Sequence, residues 1–220
     1  MTKNLSIKPS EHVLISGTTG SGKSFFAENY LAHYKHVVKL DTKNEYEERL
    51  NEGKSAWAGL KQGIDFEVVN HLTDIQYVDT PKIIYAPVFE ELEEEYFDEF
   101  FRFCFERQNN IVWVDELLSV VSNQRMTANH RRIMTQGRSK NVGCWNCTQR
   151  PSGIPMLIPT NTTHYITYYL NWLEDRKKMY AYTGCDDLLI PPRKERYEFW
   201  YCKAGSSNAV KGKLKIVKGV

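Results

Sequence analysis

The chain has 220 residues, 41% hydrophobic and 25% charged, with a formal net charge of +2. At about 150 residues per domain this length predicts a single domain. The composition excludes collagen-like and disordered classes, and no apolar run reaches the roughly 18 residues of a membrane span. The charge is unevenly divided: residues 121–220 hold 17 Lys and Arg against 6 Asp and Glu, and residues 1–120 hold 12 against 21. The asymmetry points to an anionic partner for the second half, or to a plain solvated surface.

The first residues, MTKNLSIKPSEHV, lack the apolar core of a secretory signal. His12 to Ser16 reads as a short buried strand and Gly22 to Tyr34 as a helix. Val37 to Leu40 is a second strand, and Ile83 to Tyr85 a third. Glu90 to Arg107 is a long acidic and aromatic helix, with Phe97, Phe100, Phe101 and Cys104 at helical spacing. Ile111 to Val114, Val142 to Thr148 and His164 to Leu170 are further strands. YEFWYCK at 197–203 and KLKIVK at 213–218 alternate like a terminal hairpin. Strand alternating with helix predicts an α/β fold with a largely parallel sheet.

Gly17-Thr18-Thr19-Gly20-Ser21-Gly22-Lys23-Ser24 fits the phosphate-loop pattern and lies between a strand and a helix. Its glycines allow a tight turn whose N–H groups face phosphates, and the next helix adds its positive end. Lys23 is expected on the β- and γ-phosphates and the Ser24 hydroxyl on Mg²⁺. With Phe25, these residues are the expected ATP-binding set.

Ile111-Val112-Trp113-Val114-Asp115-Glu116 is a buried strand ending in two carboxylates. Asp115 is expected to hold Mg²⁺ through its water shell, and Glu116 to take a proton from attacking water. A carboxylate directly after the magnesium aspartate suits a hydrolytic ATPase better than a small-molecule kinase or a nucleotide switch. Another strand ends Cys147-Thr148-Gln149-Arg150-Pro151, and Gln149 at its tip suits a γ-phosphate or the attacking water. Upstream lies Gly137-Arg138-Ser139-Lys140.

Together these residues resemble the FtsK–HerA superfamily of polynucleotide-pumping ATPases, over residues 11 to about 180. Val37-Val38-Lys39-Leu40-Asp41-Thr42-Lys43-Asn44-Glu45-Tyr46 looks like the family's strand followed by Asp-Pro-Lys-Gly-Glu-Tyr/Phe, with Thr42 and Asn44 departing from it. Gly137 to Gly143 followed by Thr148-Gln149-Arg150-Pro151-Ser152 looks like its Gly-Arg-Lys-x-Gly strand closing in Thr-Gln-Arg-Pro-Ser.

The resemblance implies a RecA-like, additional-strand, catalytic-glutamate P-loop ATPase with helices flanking the sheet and a C-terminal β-hairpin. Residues 1–220 would be one motor domain, with its core at about 11–180 and a β extension at 181–220. It makes Gln149 the sensor and Arg138 a finger entering a neighbour's site, with Arg150 the alternative. A nearly bare motor core of this length is similar to the genome-packaging ATPases of membrane-containing, double-jelly-roll viruses. That implies sequence-independent double-stranded DNA, a homo-oligomeric ring of five or six, and capsid-vertex or viral membrane proteins as partners. The expected location is the virion or host cytoplasm. The competing readings are an ATPase for protein or filamentous-phage export at a membrane complex, and a nucleotide kinase or switch.

Five cysteines, thinly spread, suggest free thiols in a reducing compartment. Cys144 and Cys147 are three apart on a strand and so point to opposite faces, against chelation. The aromatics of Glu95 to Phe105, and Tyr165, Tyr168 and Tyr169, suit core packing more than base stacking. Arg131-Arg132 and Arg176-Lys177-Lys178 suit a solvated helix face or DNA phosphates. Lys211, Lys213, Lys215 and Lys218 suggest a blunted edge strand more than a nucleic-acid grip.

Overall fold

The computed structural model describes residues 5–121 and 125–214. Nine strands among them form one sheet in the order β3-β4-β2-β5-β6-β1-β7-β8-β9. The strands are β1 (Val13–Ser16), β2 (Val37–Leu40), β3 (Phe66–Val69), β4 (Lys82–Tyr85), β5 (Ile111–Val114), β6 (Gly143–Thr148), β7 (His164–Thr167), β8 (Glu198–Lys203) and β9 (Val210–Lys213). The first seven run parallel, and β8 and β9 close the edge as an antiparallel hairpin. The helices are α1 (Lys23–Leu31), α2 (Glu45–Asn51), α3 (Glu94–Arg107), α4 (Ala128–Gln136), α5 (Leu157–Asn161) and α6 (Leu173–Thr183). No described helix is long and apolar enough to cross a membrane.

Burial on both faces makes the central strands continuously apolar rather than alternating. Successive residues serve different cores. Leu14, Val38, Val112 and Cys144 face one core with Phe97, Phe100 and Phe101 of α3. Val13, Ile15, Trp113, Trp145 and Cys147 face the other with Phe26 and Leu31 of α1. Cys144 and Cys147 thus lie on opposite faces, as their spacing predicts. Phe97, Phe100, Phe101 and Phe105 of α3 are core, as are Tyr165 and Tyr168, whereas Tyr96 is exposed.

The predicted strands through β8 are present: β2 and β5 match, β4 gains Lys82, and the others lose one to three residues at an end. β3 is additional. The hairpin's second strand is β9, which reaches Lys213; the rest of the predicted run, 215–218, lies outside the described residues. Gly212 sets that register, because the Phe199 ring covers it and leaves no room for a Cβ. Lys211 pairs with Glu198 at 2.7 Å and lies over Trp200, as befits a blunted edge; Lys215 and Lys218 fall outside the described residues. Arg176 donates to the carbonyl oxygens of Leu170 and Asn171, and Lys177 pairs with Glu174. Arg176 therefore closes a turn, while Arg131 and Arg132 are exposed.

Three histidines are buried, His12, His130 and His164, and the first and second are held most strongly neutral. His12 Nδ1 accepts from the Cys144 backbone N–H at 3.0 Å, and His130 stacks on Phe101 at 4.1 Å. Burial holds His12 down to about 4 and His130 down to about 3. Both values lie below the usual 6.5, so the folded chain binds fewer protons than the unfolded one. Their stability is complete above about pH 6.5 and is lost as pH falls toward the folded values, at about 1.4 kcal/mol per unit and group. We expect Tm to drop steeply across that window, and a His130→Asn variant to show a shallower slope in thermal melts.

Candidate nucleotide site

Strand β1 ends at Ser16 and the loop Gly17–Gly22 carries the chain into α1. The neighbouring strand exits pin its base: the Gly17 N–H donates to Thr148 O at 3.2 Å and the Thr18 N–H to Tyr169 O at 2.9 Å. A Cβ at Gly17 would lie 2.6 Å from Tyr168 Cβ and 2.7 Å from Ser21 Oγ, so only glycine lets these parts close. Gly22, at φ 104°, is the left-handed N-cap of α1. It offers no side chain to the first N–H groups of the helix, leaving them for an anion.

Lys23 is buried and its Nζ donates to Thr18 O at 3.2 Å, folding the ammonium back over the loop. Burial depresses its pKa, against the pull of Asp115 and Glu116. Ser24 and Phe25 are half-buried in the first turn, beside the buried Phe26. The buried Thr18 Oγ1 and Ser21 Oγ have no hydrogen-bond partner among the described residues. Such donors, beneath an uncapped helix end, fit a phosphate group.

Asp115 and Glu116 follow β5, both buried. Asp115 Oδ1 and Glu116 Oε1 have no partner among the described residues, whereas Glu116 Oε2 is held twice. Gln149 Nε2 donates to it at 2.6 Å and Lys43 Nζ at 2.7 Å. Gln149 Oε1 in turn accepts from Thr19 Oγ1 at 2.8 Å. A continuous chain of hydrogen bonds therefore runs from the phosphate loop through Gln149 to Glu116. An unpartnered Asp115 oxygen beside Lys23 and the loop fits a divalent cation, with Ser24 as the second ligand.

The β2 exit supplies residues to which the sequence reading gave no role. Asp41 accepts from the backbone N–H groups of Glu45 and Tyr46, at 3.3 and 3.2 Å, and so caps α2. This fixes the turn that presents Lys43. Lys39 is buried 3.6 Å from Asp41 and lies over the Trp113 ring. Burial works against its charge, but Asp115, Asp41 and Glu45 together raise its pKa above normal. It is the counter-charge beneath the acidic edge. The same charges act on Glu45, whose pKa rises chiefly through burial and then through Asp115.

Structure separates the two arginines. Arg150 lies 3.5 Å from Asp175 and over Trp172, at the sheet edge that carries Gln149. Arg138 is exposed on the turn Gly137–Lys140 that precedes β6, at the opposite edge. It does not join the chain's own site.

No protein-family model and no curated protein matches the chain in sequence. Solved structures do match. The genome-packaging NTPase B204 of Sulfolobus turreted icosahedral virus 2, in complex with AMPPCP, superposes with a TM-score of 0.71 at 15% identity, covering 95% of this chain and 100% of that one. This chain has a P-loop NTPase fold. The pCW3 conjugation coupling protein TcpA, with ATPγS, gives a TM-score of 0.60 at 16% identity over 96% of this chain and 62% of its own. EssC ATPases 2 and 3 of Geobacillus thermodenitrificans give 0.58 at 16%, over 93% and 39%. The additional strand is β6, which stands between the phosphate-loop strand β1 and the acidic strand β5.

Proposed function

We propose that the chain is an ATP-hydrolysing motor that moves double-stranded DNA during virion assembly, working as a homo-oligomeric ring docked on capsid or viral membrane proteins. The observation that carries the ATPase reading is the bonded path Thr19–Gln149–Glu116, which ties the phosphate loop to a buried carboxylate. The packaging role draws on the likeness to a viral genome-packaging NTPase, which spans nearly all of both chains.

In this reading Lys23 and the first N–H groups of α1 bind the phosphates. Ser24 and Asp115 would hold Mg²⁺, which when bound neutralises charge on the phosphate oxygens. Glu116 takes the proton of the attacking water as the water oxygen bonds to the γ-phosphorus and the bond to the β–γ bridging oxygen breaks. Oε2 is engaged by Lys43 and Gln149, so Oε1 is the oxygen that receives the proton. Gln149 offers the second N–H of its Nε2 to the γ-phosphate, and Arg138 acts in the adjoining subunit. The basic second half would grip DNA phosphates without reading bases.

The test is steady-state ATP hydrolysis with and without duplex DNA, at low and physiological salt. Stimulation by duplex of any sequence, fading at higher salt, supports the DNA motor. Robust hydrolysis with no stimulation, in a sample that forms rings, turns the assignment to protein or filamentous-phage export. Phosphoryl transfer to a nucleoside acceptor would make it a kinase.

A further inference from the structure

All five cysteines are buried free thiols, and the nucleotide site employs none of them. Cys185 and Cys202 stand out by position. Their Sγ atoms are 2.7 Å apart, closer than two unbonded sulfur atoms rest, and not far beyond the about 2.04 Å of a disulfide. They come from separate elements. Cys185 follows Gly184, whose left-handed backbone ends α6, and Cys202 sits on β8 opposite Tyr165 of β7.

We propose that Cys185 and Cys202 are a modification site, closing to an intramolecular disulfide that ties the C-terminal hairpin to the end of α6. The oxidant is a small-molecule disulfide of the glutathione class. One cysteine thiolate attacks a sulfur of that disulfide and expels a thiolate, leaving a mixed disulfide. The second cysteine thiolate attacks the protein sulfur of the mixed disulfide and expels the other half. The protein gives up two electrons and two protons, and the oxidant leaves as two thiols.

Burial pushes the Cys202 thiol up to about 12, and Cys185 is wholly buried, so an oxidant reaches neither sulfur in the closed fold. Exchange proceeds when the hairpin opens locally, and its outer strand β9 is the exposed edge of the sheet. The bond would also act on the nucleotide loop. Phe199 of β8 packs on Phe26 of α1 and on Tyr168, and Tyr197, one residue before β8, comes against Gly22. A hairpin tied at Cys202 is a fixed wall behind that loop.

The test uses the full chain, folded and also refolded, in glutathione buffers from reducing to oxidising, followed by alkylation, intact mass and peptide mapping. The expected result is loss of two alkylable thiols, one crosslinked peptide joining residues 185 and 202, and a Tm higher by about 6–12 °C that dithiothreitol reverses. C185S and C202S should each abolish the crosslink and the shift. Five alkylable cysteines under every oxidising condition, a crosslink between another pair, or a crosslinked chain that melts no higher would overturn the proposal. If a serine variant does not fold, the peptide map of the unaltered chain decides.

Discussion

Glu116→Gln is expected to leave ATP binding within about threefold of normal while lowering kcat by about 10²–10⁴. Glutamine keeps the shape of the side chain. Its carbonyl oxygen can still accept from Lys43 and Gln149, so the bonds that now meet at Oε2 survive. What it lacks is a basic oxygen in place of the unpartnered Oε1. Binding of a fluorescent ATP analogue and single-turnover hydrolysis separate the two effects. Normal turnover would remove Glu116 from the mechanism. Loss of nucleotide binding would assign it to the architecture of the loop instead.

The larger expected effect is that of Arg138→Ala, a fall in kcat of about 10³–10⁵ in the assembled ring, the range of a trans-acting arginine finger. The residue is exposed, and the six-residue β6 separates it from the phosphate-loop edge by roughly 17 Å. On the proposed roles it acts in a neighbour's site. The turn that presents it is firmly held, because the Val142 carbonyl occupies the space a Cβ at Gly137 would need. Mixing Arg138→Ala subunits with Lys23→Ala subunits should recover part of the hydrolysis, since some interfaces then pair an intact loop with an intact arginine. No recovery, together with an Arg150→Ala variant that is equally inactive, would move the finger to Arg150, which already stands at the nucleotide edge beside Trp172.

The parts of the site that follow one another in the chain were legible in the sequence. A glycine-rich turn between strand and helix, and two acids after four apolar residues, are local patterns with local physical reasons. Gln149 was legible as a strand tip, although its two partners, Thr19 and Glu116, are 130 and 33 residues away. Lys43 and Lys39 were not. Their roles depend on Asp41 turning the chain into α2, and on β2 lying beside β5, which no spacing within 37–46 reveals. The fold shows the same division. The central strands announce themselves as apolar runs. β3 does not, because Glu67 breaks its apolar run and its two middle residues are only half-buried. The terminal hairpin was legible as alternation, but its register was not, because it rests on Phe199 covering Gly212 across the strands.

Strand β6 has a mechanical meaning. All six of its residues are buried and it is bonded on both sides, so it shifts as a strut rather than bending. On the roles proposed here, one end carries the group that reads a subunit's own γ-phosphate and the other carries the group that enters the next subunit. A push at Gln149 would pass along β6 toward the turn that holds Arg138. Each subunit would hand its nucleotide state to its neighbour through a single rod, and the order of firing around the ring would be written into one strand.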